Sequence, residues 1–265
     1  MESIRIFDIK IDLINPAEIN SEILNLCRKN KKEAVANVNI NAKNIAYENE
    51  KMKLFLNSAY INFIDGDGVN LGAKLLGLKT CKKVTYDWWI WELAEFSQRN
   101  NLSWYILGAK EESVSKAVGK LNEVYPGLEI KGYHNGYFNK KNFENEKVVE
   151  EINQLKPNIL LMAMGMPAQE EWLLDNWGKL SMNVALTGGA VVDYISGEFK
   201  STPDIFRTLR FEWFYRLLQR PKYLAKRYLI GNPLFICRIL RDKFRSRKIK
   251  PSNCIVKRLE IKRVK

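Results

Sequence analysis

Three short stretches of this chain place glycines beside carboxylates, amides or hydroxyls in patterns that could do chemistry. Asp65-Gly66-Asp67-Gly68 follows an apolar run, and its glycines would let backbone N–H groups approach a phosphate or a sugar. A tight turn with a helix cap would use the same residues. Met164-Gly165-Met166-Pro167 leads into Ala168-Gln169-Glu170, where Glu170 suits the first turn of a helix as a partner for its dipole. The Gln169 amide could hydrogen-bond a sugar hydroxyl or a uracil edge. Thr187-Gly188-Gly189-Ala190 repeats the architecture of a diphosphate cradle. None of the three contains GxGxxG, which argues against a nicotinamide dinucleotide.

Such residues act together only if a scaffold brings them to one place. Apolar runs of strand length fall at Val35–Ile40, Tyr60–Ile64, Ser103–Leu107, Glu129–Tyr133, Asn158–Met164 and Val184–Thr187. Between them, apolar positions at three- and four-residue spacing predict helices over Glu18–Lys29, Val69–Leu76, Asp87–Arg99, Glu112–Tyr125, Phe143–Leu155 and Ala168–Lys179. Strand and helix alternate, so the fold class is α/β: a Rossmann-like, mostly parallel sheet with helices on both faces. In such open sheets ligands bind beyond the carboxyl ends of the strands, where the glycine stretches fall.

Composition narrows the classes further. The chain has 265 residues, 46% of them hydrophobic, enough to bury a sizeable core. Cys27, Cys81, Cys237 and Cys254 stand far apart without a CxxC pair, and His134 is the only histidine. Disulfide scaffolds, zinc sites and catalytic pairs built on a second histidine are therefore disfavoured. The N-terminal residues lack the basic start and apolar core of a secretory signal, so a cytoplasmic location is expected. Apolar stretches such as Ile159–Ala163 fall far short of the roughly 20 residues needed to span a bilayer, so any membrane association should be peripheral.

The net charge of +13 is unevenly placed. From Phe206 to Lys265 there are 19 Lys+Arg against 3 Asp+Glu, whereas the preceding residues hold 24 against 27. A domain break is drawn near Ser201–Pro203, giving a core over 1–203 and a basic helical appendage over 204–265. A mildly acidic body with a basic, aromatic-rich tail suits a domain that meets phosphates or anionic lipid.

Longer motifs carry a family resemblance. IDGDGVNLGAKLLG (64–77), KKVTYDW (82–88), the stretch from Tyr105 to Phe138, PNILLMAMGMPAQEEW, LTGGAVVDYISGEFKSTPD and FEWFYRLLQRP follow in order. With NINAKN (39–44), they resemble the WecG/TagA/CpsF family of glycosyltransferases, glycosyltransferase family 26. The resemblance implies an inverting, metal-independent enzyme without a cofactor. It would move N-acetylmannosamine or a relative from a UDP-sugar donor to a polyprenyl-diphosphate-linked acceptor at the cytoplasmic membrane face, in teichoic acid, common antigen, capsule or exopolysaccharide synthesis.

Inverting transfer needs a base for the acceptor hydroxyl and positive groups for the departing diphosphate. Asp65 matches the family aspartate proposed as base. Asp65 and Asp67 also resemble a D-x-D metal motif, but Asp67 falls at a variable position. The glycine turns, Gly66 and Gly68, Gly188 and Gly189, would meet the leaving-group charge with backbone amides. Lys83, where the family often has Arg, could add a cation, and Tyr86 stands where glycine is common, so its ring should alter the donor pocket. Asn39 and Asn41 match a T-x-N pair at the end of the first long strand and would hold sugar hydroxyls or the acceptor. His134 is read as a packed imidazole.

In the tail, Arg216 matches an arginine of the family's LEWLYR motif and Arg227 is assigned to phosphate. The mixture of aromatics, leucines and cations from Phe211 onward suits a helix lying at a lipid interface. If displaced, it could expose a surface for homo-oligomer formation. Two rival readings are weaker. A nucleic-acid-binding protein lacks any RRM, KH or helix-turn-helix signature, and a sugar-nucleotide epimerase or dehydrogenase lacks GxGxxG.

Overall fold

The computed structural model describes residues 1–209 and 211–246. In chain order the elements are β1 (Ser3–Ile6), β2 (Ile9–Asp12), α1 (Pro16–Arg28), β3 (Glu33–Val38), α2 (Ile40–Glu48), α3 (Glu50–Ser58), β4 (Ile61–Ile64), α4 (Asp67–Leu75) and α5 (Tyr86–Arg99). Then follow β5 (Trp104–Gly108), α6 (Glu111–Val124), β6 (Ile130–His134), α7 (Phe143–Leu155), β7 (Ile159–Ala163), α8 (Ala168–Asn176), β8 (Val184–Thr187) and α9 (Val191–Ser196). The tail comprises α10 (Asp204–Thr208), α11 (Glu212–Gln219), α12 (Pro221–Ala225), a π-helical turn (Lys226–Ile230) and α13 (Gly231–Ser246).

Six strands form one parallel sheet in the order β4-β3-β8-β7-β5-β6. Every residue of β4, β5, β7 and β8 is buried, as expected of a parallel sheet covered on both faces. Separate apolar cores lie on the two sides, one around Phe55, Leu160 and Trp172, the other around Trp89, Trp104 and Leu121. The expected α/β architecture is present.

Two features were not anticipated. Residues 3–12 form an antiparallel hairpin whose turn residues, Phe7 and Asp8, both have positive φ, as a two-residue hairpin loop requires. Its Asp12 carboxylate accepts the backbone N–H of Asn62 at 2.8 Å, so the hairpin shields the outer edge of β4. The second is the helix pair α2–α3. The strand expected over 35–40 ends at Val38, because Asn39 turns the chain and caps α2 by accepting the N–H of Ala42 at 3.0 Å. Asn49 caps α3 in the same way, accepting the N–H of Met52.

The tail folds back onto the body. Phe235 and Ile239 of α13 are fully buried in the same core as the sheet residues, and Phe235 packs edge-on to Phe7 at 5.8 Å. Gly72 of α4 makes room for them: a methyl group there would lie 2.7 Å from the Phe235 ring. Ion pairs add Arg207 to Asp87 at 3.0 Å and Arg220 to Asp193 at 3.2 Å. The part of the appendage beyond residue 246, including Cys254, lies outside the described residues. Emptying so well filled a site leaves a cavity, so Phe235→Ala should lower stability by about 3 kcal/mol in urea unfolding. An unchanged midpoint would mean that α13 adds nothing to the core.

Candidate active site

Strand order and register bring all three glycine stretches, including the loop after β7, to one cleft beyond the carboxyl ends of the sheet. The cleft has two chambers of about 370 and 480 Å³, within the range of small-molecule sites. Asn39, Asn41, Asp65, Arg216, Arg227 and Tyr228 line both. The smaller chamber also takes in Gly66, Asp67, Gly68 and Lys74, whereas the larger includes Tyr86, Gly165, Gly188 and Gly189. Asp65 thus stands where the two meet.

The Asp65 side chain is held from one side. Its Oδ2 accepts an amide N–H from Asn37 at 2.9 Å and another from Asn39 at 3.0 Å. Asn39 uses its own oxygen to cap α2, so both ends of its amide are engaged and it orients the carboxylate while lining both chambers. Asn41, in the first turn of α2, lines both chambers with no side-chain hydrogen bond among the described residues, and it keeps its availability for a substrate hydroxyl.

The glycine turns divide into two kinds. Gly66 has φ +86° and opens α4 with no side-chain cap, so the first amides of that nine-residue helix are left for a ligand or solvent at the smaller chamber. Gly68 is required for a different reason: a Cβ there would come within 2.3 Å of the Ile40 side chain. The expected cradle at Gly188 and Gly189 is not open. Gly188 donates its N–H to the Met162 carbonyl at 2.8 Å and Gly189 donates to Gln169 Oε1 at 3.1 Å. Both amides are satisfied within the protein.

Gln169 is correspondingly reassigned. It is fully buried, and its amide bridges the Gly189 N–H to the Glu170 carboxylate, donating to Oε1 at 2.8 Å. It braces the turn and lines neither chamber. Burial pushes the Glu170 carboxyl up to about 7, although the Gln169 hydrogen bond pulls the other way, and Glu170 Oε2 has no partner among the described residues.

Lys83 is likewise engaged. Its ammonium pairs with Asp67 and, at 2.6 Å, with Glu212 of α11. Burial would lower its pKa, but these two carboxylates raise it above the ordinary lysine value. It therefore ties the Asp65–Gly68 turn to the tail and does not line either chamber. Asp67 is held by the same pair, and among the described residues no three His, Cys, Asp or Glu side chains converge as metal ligands.

Besides Lys74 of α4, positive charge in the cleft comes from the tail. The half-buried Arg216 lies with its guanidinium 5.3 Å from the centre of the Tyr194 ring, and its Nε is buried without a partner among the described residues. Burial opposes its charge, but the pull of Tyr194, Tyr228, Asp65 and Asp87 keeps it firmly protonated. Arg227 and Tyr228 are set at the cleft by the π-helical turn, a local irregularity often found at functional sites. Tyr86 forms part of the larger chamber's floor, its buried hydroxyl donating to the Thr187 carbonyl at 2.7 Å. His134 packs edge-on to Phe138 and bonds the Asn135 carbonyl, away from the cleft.

A model described as the glycosyl transferase WecG/TagA/CpsF family matches residues 4–249. The chain belongs to that family. It is similar to proteins of Staphylococcus aureus strains MW2, NCTC 8325 and MRSA252, each named N-acetylglucosaminyldiphosphoundecaprenol N-acetyl-beta-D-mannosaminyltransferase. Each is 29% identical over 195 residues, covering 74% of this chain and 74% of the relative. This family member is thus a glycosyltransferase with a carboxylate at the meeting point of two chambers.

Asn37 and Thr187 were missed by sequence reasoning. Asn37 stands on β3 two residues before Asn39, and Thr187 on the adjacent β8 had drawn notice only as the residue before two glycines. A polar residue within an otherwise apolar strand was the available signal.

The brace at Glu170 has a measurable consequence. Its carboxyl titrates near 7 when folded against an ordinary 4.5, so the folded state holds the proton more tightly. The stability this contributes is complete below about pH 4.5 and is lost as pH rises through about 7. Urea unfolding of wild type and Glu170→Gln at pH 5 and pH 8 should show the variant gaining on wild type by roughly 3 kcal/mol at the higher pH. Parallel pH dependences would mean that Glu170 is ionised in the fold.

Proposed function

We propose that this glycosyltransferase moves N-acetylmannosamine or a related sugar from a UDP-sugar to an undecaprenyl-diphosphate-linked amino sugar, with inversion and without a metal, during synthesis of a cell-surface polymer. The observation that carries this reading is Asp65 at the junction of two chambers, since a transfer between two substrates needs its base where donor and acceptor meet. The names of the relatives point to the same sugar and the same class of acceptor.

In the proposed step the acceptor hydroxyl gives its proton to Asp65 as its oxygen attacks the anomeric carbon of the donor. The bond from that carbon to the diphosphate oxygen breaks, and UDP leaves with the electron pair. Charge building on the diphosphate is met by Arg216, by Arg227 and by the uncapped first turn of α4. Tyr86 narrows the floor of the larger chamber and so takes part in choosing the donor sugar.

The tail supports work at a membrane surface. In α11, Trp213 and Leu217 pack inward on Phe199, Leu224 and Tyr228, whereas Phe214 and Leu218 point outward. Leu229, Ile230 and Phe244 are also exposed, near Lys222, Lys226 and Lys243 in the chain. No helix among the described residues is long and apolar enough to cross a membrane. We therefore place the enzyme peripherally at the inner face of the plasma membrane. Each cation near an anionic leaflet contributes about 1 kcal/mol, so binding to vesicles containing phosphatidylglycerol should weaken steeply as salt rises. Equal binding to neutral vesicles would contradict the electrostatic part of this placement.

The decisive assay measures UDP release from a panel of UDP-sugars with a short-chain lipid-diphosphate N-acetylglucosamine acceptor, with and without EDTA. Acceptor-dependent release from UDP-N-acetylmannosamine, unchanged by EDTA, is expected. Asp65→Asn should cut turnover by at least roughly 10²-fold with the fold intact. Silence with every donor would overturn the reading, and loss with EDTA would make Asp65 and Asp67 metal ligands.

A further inference from the structure

We propose that Asn37 and Thr187 act as a positioning pair for Asp65, fixing which carboxylate oxygen is left to take the acceptor's proton. The inference rests on the reading of Asp65 as the base. Both amide donors, from Asn37 and Asn39, go to Oδ2, and Oδ1 receives no hydrogen bond among the described residues. An anionic oxygen that already accepts two N–H groups is the weaker proton acceptor, so the proton goes to Oδ1.

This asymmetry needs the Asn37 amide to keep its NH₂ toward Asp65 and its oxygen away. Thr187 enforces that orientation. Its hydroxyl accepts the Asn37 backbone N–H at 3.3 Å and donates its single proton to Asn37 Oδ1 at 3.1 Å. The backbone carbonyl of Thr187 is in turn held by the Tyr86 hydroxyl at 2.7 Å. Asn39 is oriented independently by its cap on α2. Asn37 is 3% exposed and Thr187 fully buried, so neither hydroxyl nor amide is needed to touch substrate for this effect. Parallel pairing of β3 with β8, with Val35 opposite Leu186, brings together residues 150 positions apart.

Thr187→Val keeps the shape of the side chain and removes the hydroxyl, leaving the Asn37 amide free to turn. In the UDP-release assay its kcat should fall about tenfold, with KM for donor and acceptor within about twofold of wild type. Thr187→Ser should restore kcat to within about twofold. Asn37→Ala should lose more than Thr187→Val, again in kcat. Wild-type kcat in Thr187→Val and Asn37→Ala would overturn the proposal. So would a loss that appears in KM, or one that accompanies a lowered Tm and is not rescued by serine, since either would mark a binding or merely structural role.

A readout without turnover separates this inference from the reaction assigned above. In protein labelled with ¹⁵N-asparagine, the Asn37 side-chain NH₂ signals, assigned by their loss in Asn37→Ala, should shift in Asp65→Asn and in Thr187→Val but not in Thr187→Ser. Unmoved signals would overturn the pair even in an active enzyme. An inactive wild type with the expected shifts would defeat the reaction and leave the pair standing.

Discussion

An ionised carboxylate at the end of a buried strand is tolerable only if donors replace the water it loses, and much of the cleft is organised around that requirement. Asp65 follows β4, whose four residues are buried, and its backbone N–H is still bound into the sheet by the Val38 carbonyl at 2.9 Å. The carboxylate therefore cannot move away from β3, and β3 must supply polar side chains where an apolar one would pack better. Asn37 and Asn39 do so, one facing β8 through Thr187 and the other ending the strand to begin α2. Keeping one charge in place thus fixes a strand end, a helix start and a contact between neighbouring strands.

The architecture was legible in the sequence because parallel strands buried on both faces leave continuous apolar runs, and helices between them leave spaced apolar positions. Predicted and observed limits of α7 coincide, and α6 differs by a residue at each end. The N-terminal hairpin was hidden by its position before the first strong run, although Ile4, Ile6, Ile9 and Ile11 alternate about a two-residue turn. Helix α2 was missed because its first residues looked like the end of β3; the deciding interaction is the Asn39 cap, a single hydrogen bond.

The site was legible as a set of loops and less so as a set of roles. Strand-end position located Asp65, and resemblance to the family's motifs located Asn41, Arg216 and Arg227, all of which line the cleft. What each polar group does there depends on which neighbours have already claimed it, and those neighbours lie far away in sequence. Gln169 is bound to Gly189, twenty residues on, and Lys83 to Glu212, 129 residues on. Nothing local distinguishes an amide facing a ligand from one facing a backbone N–H. Strand order decides the matter, and strand order is a property of the whole chain.

The closed state of the Gly188-Gly189 turn shifts weight elsewhere. With both glycine amides bound internally, neither Gly188 nor Gly189 has a backbone donor ready for a diphosphate. On the proposed reaction, leaving-group stabilisation then falls to the first turn of α4 and to Arg216 and Arg227. Both arginines belong to the tail, so the cleft of residues 1–203 alone would hold a base but lack these two cations. The tail is also anchored where the base is: Lys83 joins Glu212 of α11 to Asp67, two residues beyond Asp65, while Phe235 and Ile239 reach the core beside α4. A segment that offers exposed Phe214 and Leu218 to its surroundings therefore shares one attachment with the loop that carries Asp65. On the proposed reading, contact with a lipid surface and the placement of Arg216 fall to two faces of one helix, α11.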